Sequence, residues 1–345
     1  MQRLNGFDVK VLIIHYHLSI IYKGRKIMQI VVLDGYALNP GDLSWDRLEE
    51  LGEVTVYDRT PESKIKQRIG EAEIVFTNKT PISEEILANC PQIEYVGVLA
   101  TGYNVVDIEA ANKYDVTVTN VPDYGTTAVA QHTFALLLEM CNHVAEHNQA
   151  VNNGQWANAL DFCFWNSSLK ELTGKTMGII GYGSIGQQSG ELAQAFGMDV
   201  LAYDPEPNLE LESEQLQYVE LENLWAQADV ISLHCPLFPE TKGIINQETI
   251  AQMKDDVLII NTARGELIVE ADLAEALNQG RVAGAAVDVL AEEPASIDNP
   301  LLNADNTIVT PHIAWAAQES RQRLMEIAVK NLKQFLNDKT LNQVN

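Results

Sequence analysis

Hydrophobic residues after Met28 recur as short runs rich in Val and Ile, separated by amphipathic segments. Continuous short apolar runs are typical of strands that are buried on both faces of a sheet. Strands are therefore predicted at residues 30–33, 54–57, 74–77, 95–99, 176–180, 199–203, 230–234, 257–261, 283–287 and 307–309. Strands that alternate with helices predict βαβ units and parallel sheets.

Helical spacing of apolar residues predicts helices at residues 42–51, 61–69, 127–153, 185–196, 221–228, 247–252, 270–279 and 324–337. The long helix at 127–153 separates two α/β series, and 345 residues are too many for one ordinary core. The chain should therefore form two domains. The final helix is expected to return to the first, which gives boundaries of 28–127 with 316–345 for the first domain and 128–315 for the second.

The segment 1–27 is expected to be an extension that is not native or is disordered. Residues 11–22 are apolar, but two histidines and a serine interrupt them and the basic sequence KGRK follows, which makes a poor signal peptide. Met28 opens directly into the first predicted strand, so translation starting there explains the pattern. A genuine extra strand or helix is the alternative.

An aromatic segment follows the long predicted helix, with Trp156, Phe162, Phe164 and Trp165 in a stretch of low regularity. Aromatic residues are enriched at the centres of protein interfaces. One interpretation is an arm that is buried against a second subunit, which predicts a homodimer. The other is packing within the monomer, and the sequence does not separate the two.

Charge and cysteine content exclude several classes of function. The formal net charge of −25 and the lack of a Lys/Arg cluster argue against nucleic acid and anionic membranes as partners. An anionic substrate would need a local positive group. The four cysteines form no C-x-x-C pair, so no metal site is predicted, and scattered cysteines indicate a reducing compartment, here the cytoplasm. No apolar run is long enough to span a bilayer.

A glycine motif, Gly181-Tyr-Gly183-Ser-Ile-Gly186, lies between a predicted strand and a predicted helix. In that context the motif predicts a dinucleotide site: the first glycine allows a tight turn, the second lets a pyrophosphate approach, and the third permits close helix packing. Asp204 ends the next strand, where a carboxylate accepts hydrogen bonds from the adenosine ribose and repels a 2′-phosphate. NAD is therefore predicted over NADP.

Three charged residues lie just beyond predicted strands of the second domain: Arg264, Glu293 and His312. Ligands bind outside the carboxyl ends of strands in open α/β sheets, so these side chains can converge on one crevice. Each alone has an ordinary explanation as a solvated arginine, a surface turn or a capping histidine. Their combination on a dinucleotide scaffold favours catalysis.

These segments carry a clear resemblance. The stretches GKTMGIIGYGSIG, SLHCPL, NTARGELIVE, GAAVDVLAEEP and TPHIAWA resemble the D-isomer-specific 2-hydroxyacid dehydrogenases, and VLATGYNVVD resembles their substrate loop. The resemblance runs from Met28 to Leu341. It implies a Rossmann NAD-binding domain inserted in a flavodoxin-like substrate domain, both of them doubly wound parallel sheets.

The resemblance also implies the catalytic roles. Arg264 would anchor the substrate carboxylate, to which its planar fork is suited. His312 would donate a proton to the substrate carbonyl, and Glu293 would hold the imidazole in its charged form. Family spacing selects Glu293 over Glu292, which physical reasoning alone does not separate.

Further positions follow from the same resemblance. Those implied to contact the cofactor are Gly181, Gly183, Ser184, Ile185, Gly186, Asp204, Cys235, Pro236, Thr241, Thr262, Ala263, Arg264, Asp288 and His312. Those implied to contact the substrate are Ala100, Thr101, Gly102, Arg264 and Trp315.

Trp315 is the best indication of the substrate. An indole near the reacting carbon would narrow the pocket and offer one N–H donor, which favours a short side chain. PHIAWA and LDGYALNPGDLSW resemble the glycerate dehydrogenase and hydroxypyruvate reductase branch. That implies NAD-dependent reduction of hydroxypyruvate or glyoxylate to D-glycerate or glycolate, and the reverse. The alternatives are D-lactate or phosphoglycerate dehydrogenase, or a non-catalytic protein that senses NAD(H). The direction in the cell stays open.

Overall fold

A computed structural model of the chain describes residues 27–345. The segment predicted as an extension, 1–27, lies almost wholly outside the described residues. Within them the chain forms two compact units: the first ends at Tyr124 and resumes over Gln318–Asn345, and the second is Gly125–Ala317.

The first unit is built on a five-stranded sheet. Its strands are β1 (Gln29–Val32), β2 (Glu53–Val56), β3 (Ile74–Thr77), β4 (Tyr95–Val98) and β5 (Thr117–Thr119). Its first helices are α1 (Asp46–Glu49), α2 (Ile65–Ile69), α3 (Glu84–Asn89) and α4 (Ile108–Lys113), with a 3₁₀ turn at Glu62–Lys64. All strand pairs are parallel and the order is β2-β1-β3-β4-β5, which is the doubly wound order of flavodoxin-like folds.

Alternate residues of these strands bury into opposite faces of the sheet, because side chains along a strand point to the two faces in turn. On β1, Val31 packs into one hydrophobic cluster, while Ile30 and Val32 pack into the other. The strands β3 and β4 are buried along their whole length. Their continuous apolar runs are therefore explained by cover on both faces.

The second unit begins with α5 (Thr126–Asn142) and α6 (Val144–Asn152) and contains a seven-stranded parallel sheet. Its strands are β6 (Thr176–Ile180), β7 (Asp199–Tyr203), β8 (Leu216–Tyr218), β9 (Val230–Leu233), β10 (Leu258–Asn261), β11 (Gly284–Val287) and β12 (Thr307–Val309). The helices are α7 (Ser184–Ala195), α8 (Leu221–Gln227), α9 (Gln247–Ile250) and α10 (Glu270–Asn278). Short 3₁₀ turns occupy Trp156–Asn158, Leu209–Leu211, Gly265–Leu267 and Pro300–Asn303.

The strand order of the second unit is β12-β11-β10-β9-β6-β7-β8. Counted from β6, this is the Rossmann order with one more strand at the far edge. The direction of winding reverses between β6 and β9, and ligands bind at the carboxyl ends of strands beside such a reversal. The prediction of two parallel-sheet α/β domains is confirmed.

The last helix, α11 (Gln318–Phe335), belongs to the first unit. It buries Leu324, Ala328 and Leu332 in the cluster that contains Phe76 and Tyr95. At its start the Arg321 guanidinium makes two hydrogen bonds to the Asp42 carboxylate, at 2.8 and 2.6 Å. This pair fastens the segment before α1 to the helix.

Several element predictions were wrong in extent. The helix expected at 127–153 is two helices, because His143 adopts a left-handed conformation (φ 47°) that no L-residue continues as an α-helix. The helix expected at 42–51 is reduced to α1. The three-residue strands β5 and β8 were not predicted.

Candidate active site

The glycine motif forms the turn from β6 into α7. Gly181 has φ 90°, and a Cβ on it would stand 2.5 Å from the backbone nitrogen of Cys235. A Cβ on Gly186 would stand 2.2 Å from the carbonyl oxygen of Gly181. Both positions therefore require glycine for close packing of the backbone.

Gly183 differs from the other two glycines. It precedes α7, and a Cβ built on it would meet no atom within 4 Å. Protein atoms therefore fill the space next to Gly181 and Gly186, whereas the space next to Gly183 is open. Gly183 directly precedes a helix that starts with Ser184 and Ile185. Backbone N–H groups and the positive end of the helix dipole suit a pyrophosphate at this place. The residues fit a bound dinucleotide.

Asp204 lies beside this turn, at the end of β7. Its Oδ2 accepts a hydrogen bond from the backbone N–H of Tyr182 at 2.9 Å, and its Oδ1 accepts one from Glu206 at 3.1 Å. The side chain is only partly buried. The glycine turn therefore holds a carboxylate where the adenosine ribose of a dinucleotide would lie.

The segment after β9 forms the opposite wall of the turn. Cys235 is 7% exposed, and burial raises the pKa of its thiol to about 11, so the thiol stays protonated at neutral pH. The Thr241 hydroxyl donates to the Pro236 carbonyl at 2.7 Å and accepts from the Phe238 amide at 2.8 Å. These bonds close a compact loop.

Arg264 lies in a tight turn after β10. The buried Asn261 side chain accepts from the Ala263 amide at 3.0 Å and donates to the Arg264 carbonyl at 2.8 Å, which fixes the turn. Arg264 itself is exposed, and its Nη1 donates to the Ala263 carbonyl at 2.7 Å. The remaining guanidinium donors can serve a carboxylate.

Gly265, the next residue, lies directly against the loop that carries Glu293. A Cβ on it would stand 1.9 Å from the carbonyl carbon of Leu290. The arginine turn and the glutamate loop are thus packed backbone to backbone. The sequence motifs did not predict that Gly265 contacts this loop.

The side chains of His312 and Glu293 lie at ion-pair distance. The Nδ1 of His312 lies 2.6 Å from Oε2 of Glu293, and the two side chains are 34% and 36% exposed. The other oxygen, Oε1, accepts from the Leu290 amide at 3.2 Å, which orients the carboxylate. The carboxylate that reaches the imidazole is thus that of Glu293. With Nδ1 engaged, Nε2 is the nitrogen that can meet a ligand.

The backbone at His312 is left-handed, with φ 54°. Its amide donates to the carbonyl of Asp288 at 2.7 Å and to that of Thr310 at 3.0 Å. The Trp315 indole N–H donates to the His312 carbonyl at 2.9 Å. An uncommon conformation persists when its surroundings over-determine it, and here both backbone groups of His312 are held.

The contact of Trp315 corrects one expectation. From the sequence, the indole N–H was expected to donate to the substrate, but it donates to the His312 carbonyl. An indole has one N–H, so its contribution here is to hold His312 and to present an apolar ring.

Asp288 is a buried carboxylate, 1% exposed, under the His312 segment. Its oxygens accept from the Thr310 hydroxyl at 2.6 Å and from the amides of Ile313 and Ala314 at 2.9 and 2.8 Å. Every one of these donors flanks His312. The family resemblance implied Asp288 only as a cofactor contact, and its bonds to the residues around His312 were not expected.

The predicted substrate loop, Ala100 to Gly102, lies in the first unit after β4. Its Ala100 carbonyl accepts from the Val121 amide at 2.9 Å, and the Thr101 hydroxyl donates to the Val121 carbonyl at 2.9 Å. The Thr101 carbonyl accepts from Asn120 Nδ2 at 2.7 Å. The loop is therefore held through its carbonyl groups and one hydroxyl.

Across residues 27–345, no three His, Cys, Asp or Glu side chains cluster as metal ligands would. Over the same residues, no helix has the length and apolar character needed to cross a membrane.

Comparison with known proteins places the chain among dehydrogenases. The family model of the D-isomer specific 2-hydroxyacid dehydrogenase NAD binding domain matches residues 134–314. The chain is 59% identical to a hydroxypyruvate reductase from Blautia hydrogenotrophica, over 92% of this chain and 100% of that protein. It is 39% identical to a glycerate dehydrogenase from Methylorubrum extorquens, over 83% of this chain and 89% of the relative.

A solved structure shows the same likeness. The crystal structure of D-lactate dehydrogenase with NAD+ from Lactobacillus jensenii matches with a TM-score of 0.77 and 29% identity, over 92% of this chain and 99% of that one. NAD is accordingly the cofactor of this chain. Site geometry, fold and sequence agree that the chain belongs to the D-isomer-specific 2-hydroxyacid dehydrogenases, in the branch of the glycerate dehydrogenases and hydroxypyruvate reductases.

Proposed function

We propose that the chain reduces hydroxypyruvate to D-glycerate with NADH, catalyses the reverse reaction, and accepts glyoxylate as a second substrate. The observation that carries the proposal is the pair of His312 and Glu293, 2.6 Å apart at the strand ends of a Rossmann unit. The relatives named hydroxypyruvate reductase and glycerate dehydrogenase support the choice of acid.

The proton chemistry follows from the two nitrogens of His312. Glu293 accepts the Nδ1–H, which leaves the Nε2–H as the proton that His312 would give to the carbonyl oxygen. Bound NADH supplies the hydride that carbon 2 receives. The product is then a neutral hydroxyl on carbon 2, and His312 is left neutral with Glu293 still on Nδ1. In the oxidation direction the same nitrogen takes the proton back.

Arg264 supplies the charge that brings an anion to this acidic protein. The formal net charge is −25, so the average field repels a carboxylate and a local guanidinium must overcome it. Its fork can hold the substrate carboxylate through two N–H donors. That contact would fix the adjacent carbonyl relative to His312, which lowers the barrier by orientation. Amides of Ala100 to Gly102 are proposed as further carboxylate donors.

Trp315 makes the proposed substrate a small one. The bond from its N–H to the His312 carbonyl restrains the ring, which would narrow the space beside the reacting carbon. An apolar wall beside the reacting carbon favours hydroxypyruvate and glyoxylate over branched 2-keto acids.

The proposed selectivity for NADH over NADPH rests on Asp204. Its carboxylate is held by the Tyr182 amide beside the glycine turn, and it would repel a 2′-phosphate. The next two residues, Pro205 and Glu206, bring no positive charge to balance such a phosphate.

A homodimer in a reducing compartment such as the cytoplasm completes the proposal. The arm after α6 exposes large apolar side chains: Trp156 at 54%, Leu160 at 103%, Phe162 at 89% and Trp165 at 68%. Exposed apolar surface of this kind favours a protein partner. All four cysteines are free thiols, which fits a reducing compartment. Light scattering should give twice the chain mass, and a monomer mass would contradict the dimer.

A substrate panel tests the proposed activity. Hydroxypyruvate, glyoxylate, pyruvate and phosphohydroxypyruvate are each assayed with NADH and with NADPH. We expect the highest kcat/KM for hydroxypyruvate with NADH, followed by glyoxylate. A preference for pyruvate or phosphohydroxypyruvate would contradict the substrate. NADH binding without oxidation by any of the four would contradict the enzymatic function and favour a sensor of NAD(H).

A further inference from the structure

His132, on α5, contacts the loop that carries His312. Its Nε2 lies 3.1 Å from the Thr310 hydroxyl oxygen and 3.5 Å from Oδ1 of Asp288, and its side chain is 21% exposed. No sequence motif identified this residue, and the reaction proposed above does not use it. Its contacts reach Thr310 and Asp288, which themselves hold the segment on either side of His312.

The hydrogen-bond directions can be worked out from the number of protons. The Thr310 hydroxyl has one proton, and it donates that proton to Asp288 at 2.6 Å. Towards His132 the hydroxyl can therefore only accept, so His132 must carry a proton on Nε2. The result is a directed chain from His132 through Thr310 to Asp288.

Asp288 is the centre of this chain. Burial acts most strongly to raise its pKa, yet hydrogen bonds from His132, Thr310 and the amides of Ala314 and Ile313 together hold its pKa below the usual value. The carboxylate is thus charged at neutral pH, and it needs its donors because an under-solvated buried charge is costly. Apart from His132, those donors belong to the residues on either side of His312.

Thr133, the next residue of α5, contacts the turn that carries Arg264. The Thr133 hydroxyl donates to the Val129 carbonyl at 3.0 Å, so at 3.1 Å from Thr262 it accepts that residue's hydroxyl proton. Thr262 belongs to the turn that presents Arg264. One turn of α5 therefore contacts both the proton-donor segment and the arginine turn.

We propose that His132 is a positioning residue for catalysis, which holds the His312 segment in register through Thr310 and Asp288. This rests on the function proposed above for His312. His132 makes this contact through hydrogen bonds, although an aromatic ring of similar size would fill the same volume. The proposal is that the hydrogen bonds orient the segment. A variant that keeps the volume of His132 and removes its donor therefore separates orientation from packing.

The experiment compares His132→Phe with His132→Gln. Phenylalanine keeps the volume and removes the donor, whereas glutamine keeps an N–H donor close to the Nε2 position. Gln131→Ala, an exposed neighbour on the same helix, is the matched control. Each protein is measured for kcat and KM with hydroxypyruvate, NADH dissociation constant, Tm and the NMR signals of the ¹⁵N-labelled His312 ring.

For His132→Phe we expect kcat to fall by roughly 10-fold, because a misplacement of about 1 Å can cost roughly 10²-fold and the displacement here should be smaller. KM and NADH binding should stay within about twofold, and the His312 ring signals should shift. Glutamine should restore most of kcat and the original signals. The Gln131→Ala protein should match the wild type.

A fall in Tm with unchanged kcat and unmoved His312 signals would show a purely structural histidine and overturn the proposal. Failure of glutamine to restore kcat, when phenylalanine lowers it, would also contradict the donor role. If wild-type protein reduces none of the keto acids, the proposed function fails. The ring signals still decide the positioning role, because they require no turnover.

Discussion

Gly265 joins the arginine turn to the glutamate loop, and its replacement by alanine is a sharp test of the site. The added Cβ would stand 1.9 Å from the Leu290 carbonyl carbon, 2.2 Å from its oxygen and 2.3 Å from the Ala291 nitrogen. All three are backbone atoms, so no side-chain rotation relieves the contact. The loop or the turn must move.

The size of the movement follows from ordinary contact distances. A Cβ rests at 3.4 Å or more from its neighbours, so the loop must retreat by about 1.5 Å. The same loop carries Glu293, which lies 2.6 Å from His312 Nδ1, and a retreat of that size breaks the hydrogen bond. A misplacement of about 1 Å can cost roughly 10²-fold in rate. We therefore expect kcat to fall by about 10²-fold.

The assay is the oxidation of NADH by hydroxypyruvate, followed by absorbance, with NADH binding measured by fluorescence to count folded sites. Gly280→Ala is the control: this glycine follows α10 with φ 68° and has no atom within 4 Å of the added Cβ. The control should lose about 1 kcal/mol of stability through its backbone conformation and keep its kcat. A folded Gly265→Ala protein with wild-type kcat would refute the reasoning.

The other predictions concern the substrate, the cofactor and pH. Arg264→Ala should raise KM for hydroxypyruvate by roughly 10²-fold, with a smaller effect on NADH binding; an unchanged KM would place the carboxylate anchor elsewhere. Asp204→Ser should lower the preference for NADH over NADPH by at least about 10-fold in kcat/KM. Burial lowers the pKa of His234 from 6.5 to about 4, so the unfolded state binds the proton first as pH falls. This contribution to stability is complete above about pH 6.5 and is lost towards pH 4. Between pH 7 and pH 5, the free energy of unfolding of His234→Gln in urea should therefore fall by about 1–2 kcal/mol less than that of the wild type.

The sheet strands were the most predictable part of the fold. Runs such as those of β3, β4 and β10 are apolar along their length because helices cover both faces of each sheet. The break at His143 was not predictable, since the helical spacing continues across it and no glycine or proline marks it. Local pattern shows where a helix can form, while the packing around it decides where it ends.

The proposed catalytic residues could be selected from the sequence because parallel strands end at one edge of a sheet. Arg264 and His312 follow β10 and β12, and position alone indicated them. Glu293 could not be separated from Glu292 by physical reasoning, because two adjacent carboxylates in a turn differ only in direction. The Leu290 amide that orients Glu293 appears only in the folded loop.

The residues behind the site were the least predictable. His132 lies far from Asp288 in sequence, and a histidine on an amphipathic helix has no distinctive pattern. Its significance comes from the bond through Thr310, which exists only in the tertiary structure. The direction of the Trp315 N–H was not predicted for the same reason, because the spacing of residues in a sequence does not determine side-chain rotamers.

The most direct test of the account is the turnover of hydroxypyruvate by His312→Ala at saturating NADH. The account predicts a loss of about 10²–10⁴-fold in kcat with the NADH dissociation constant within a few-fold of wild type, because the proton donor is removed and the glycine turn is untouched. A His312→Ala protein that binds NADH and turns over hydroxypyruvate at the wild-type rate would contradict it.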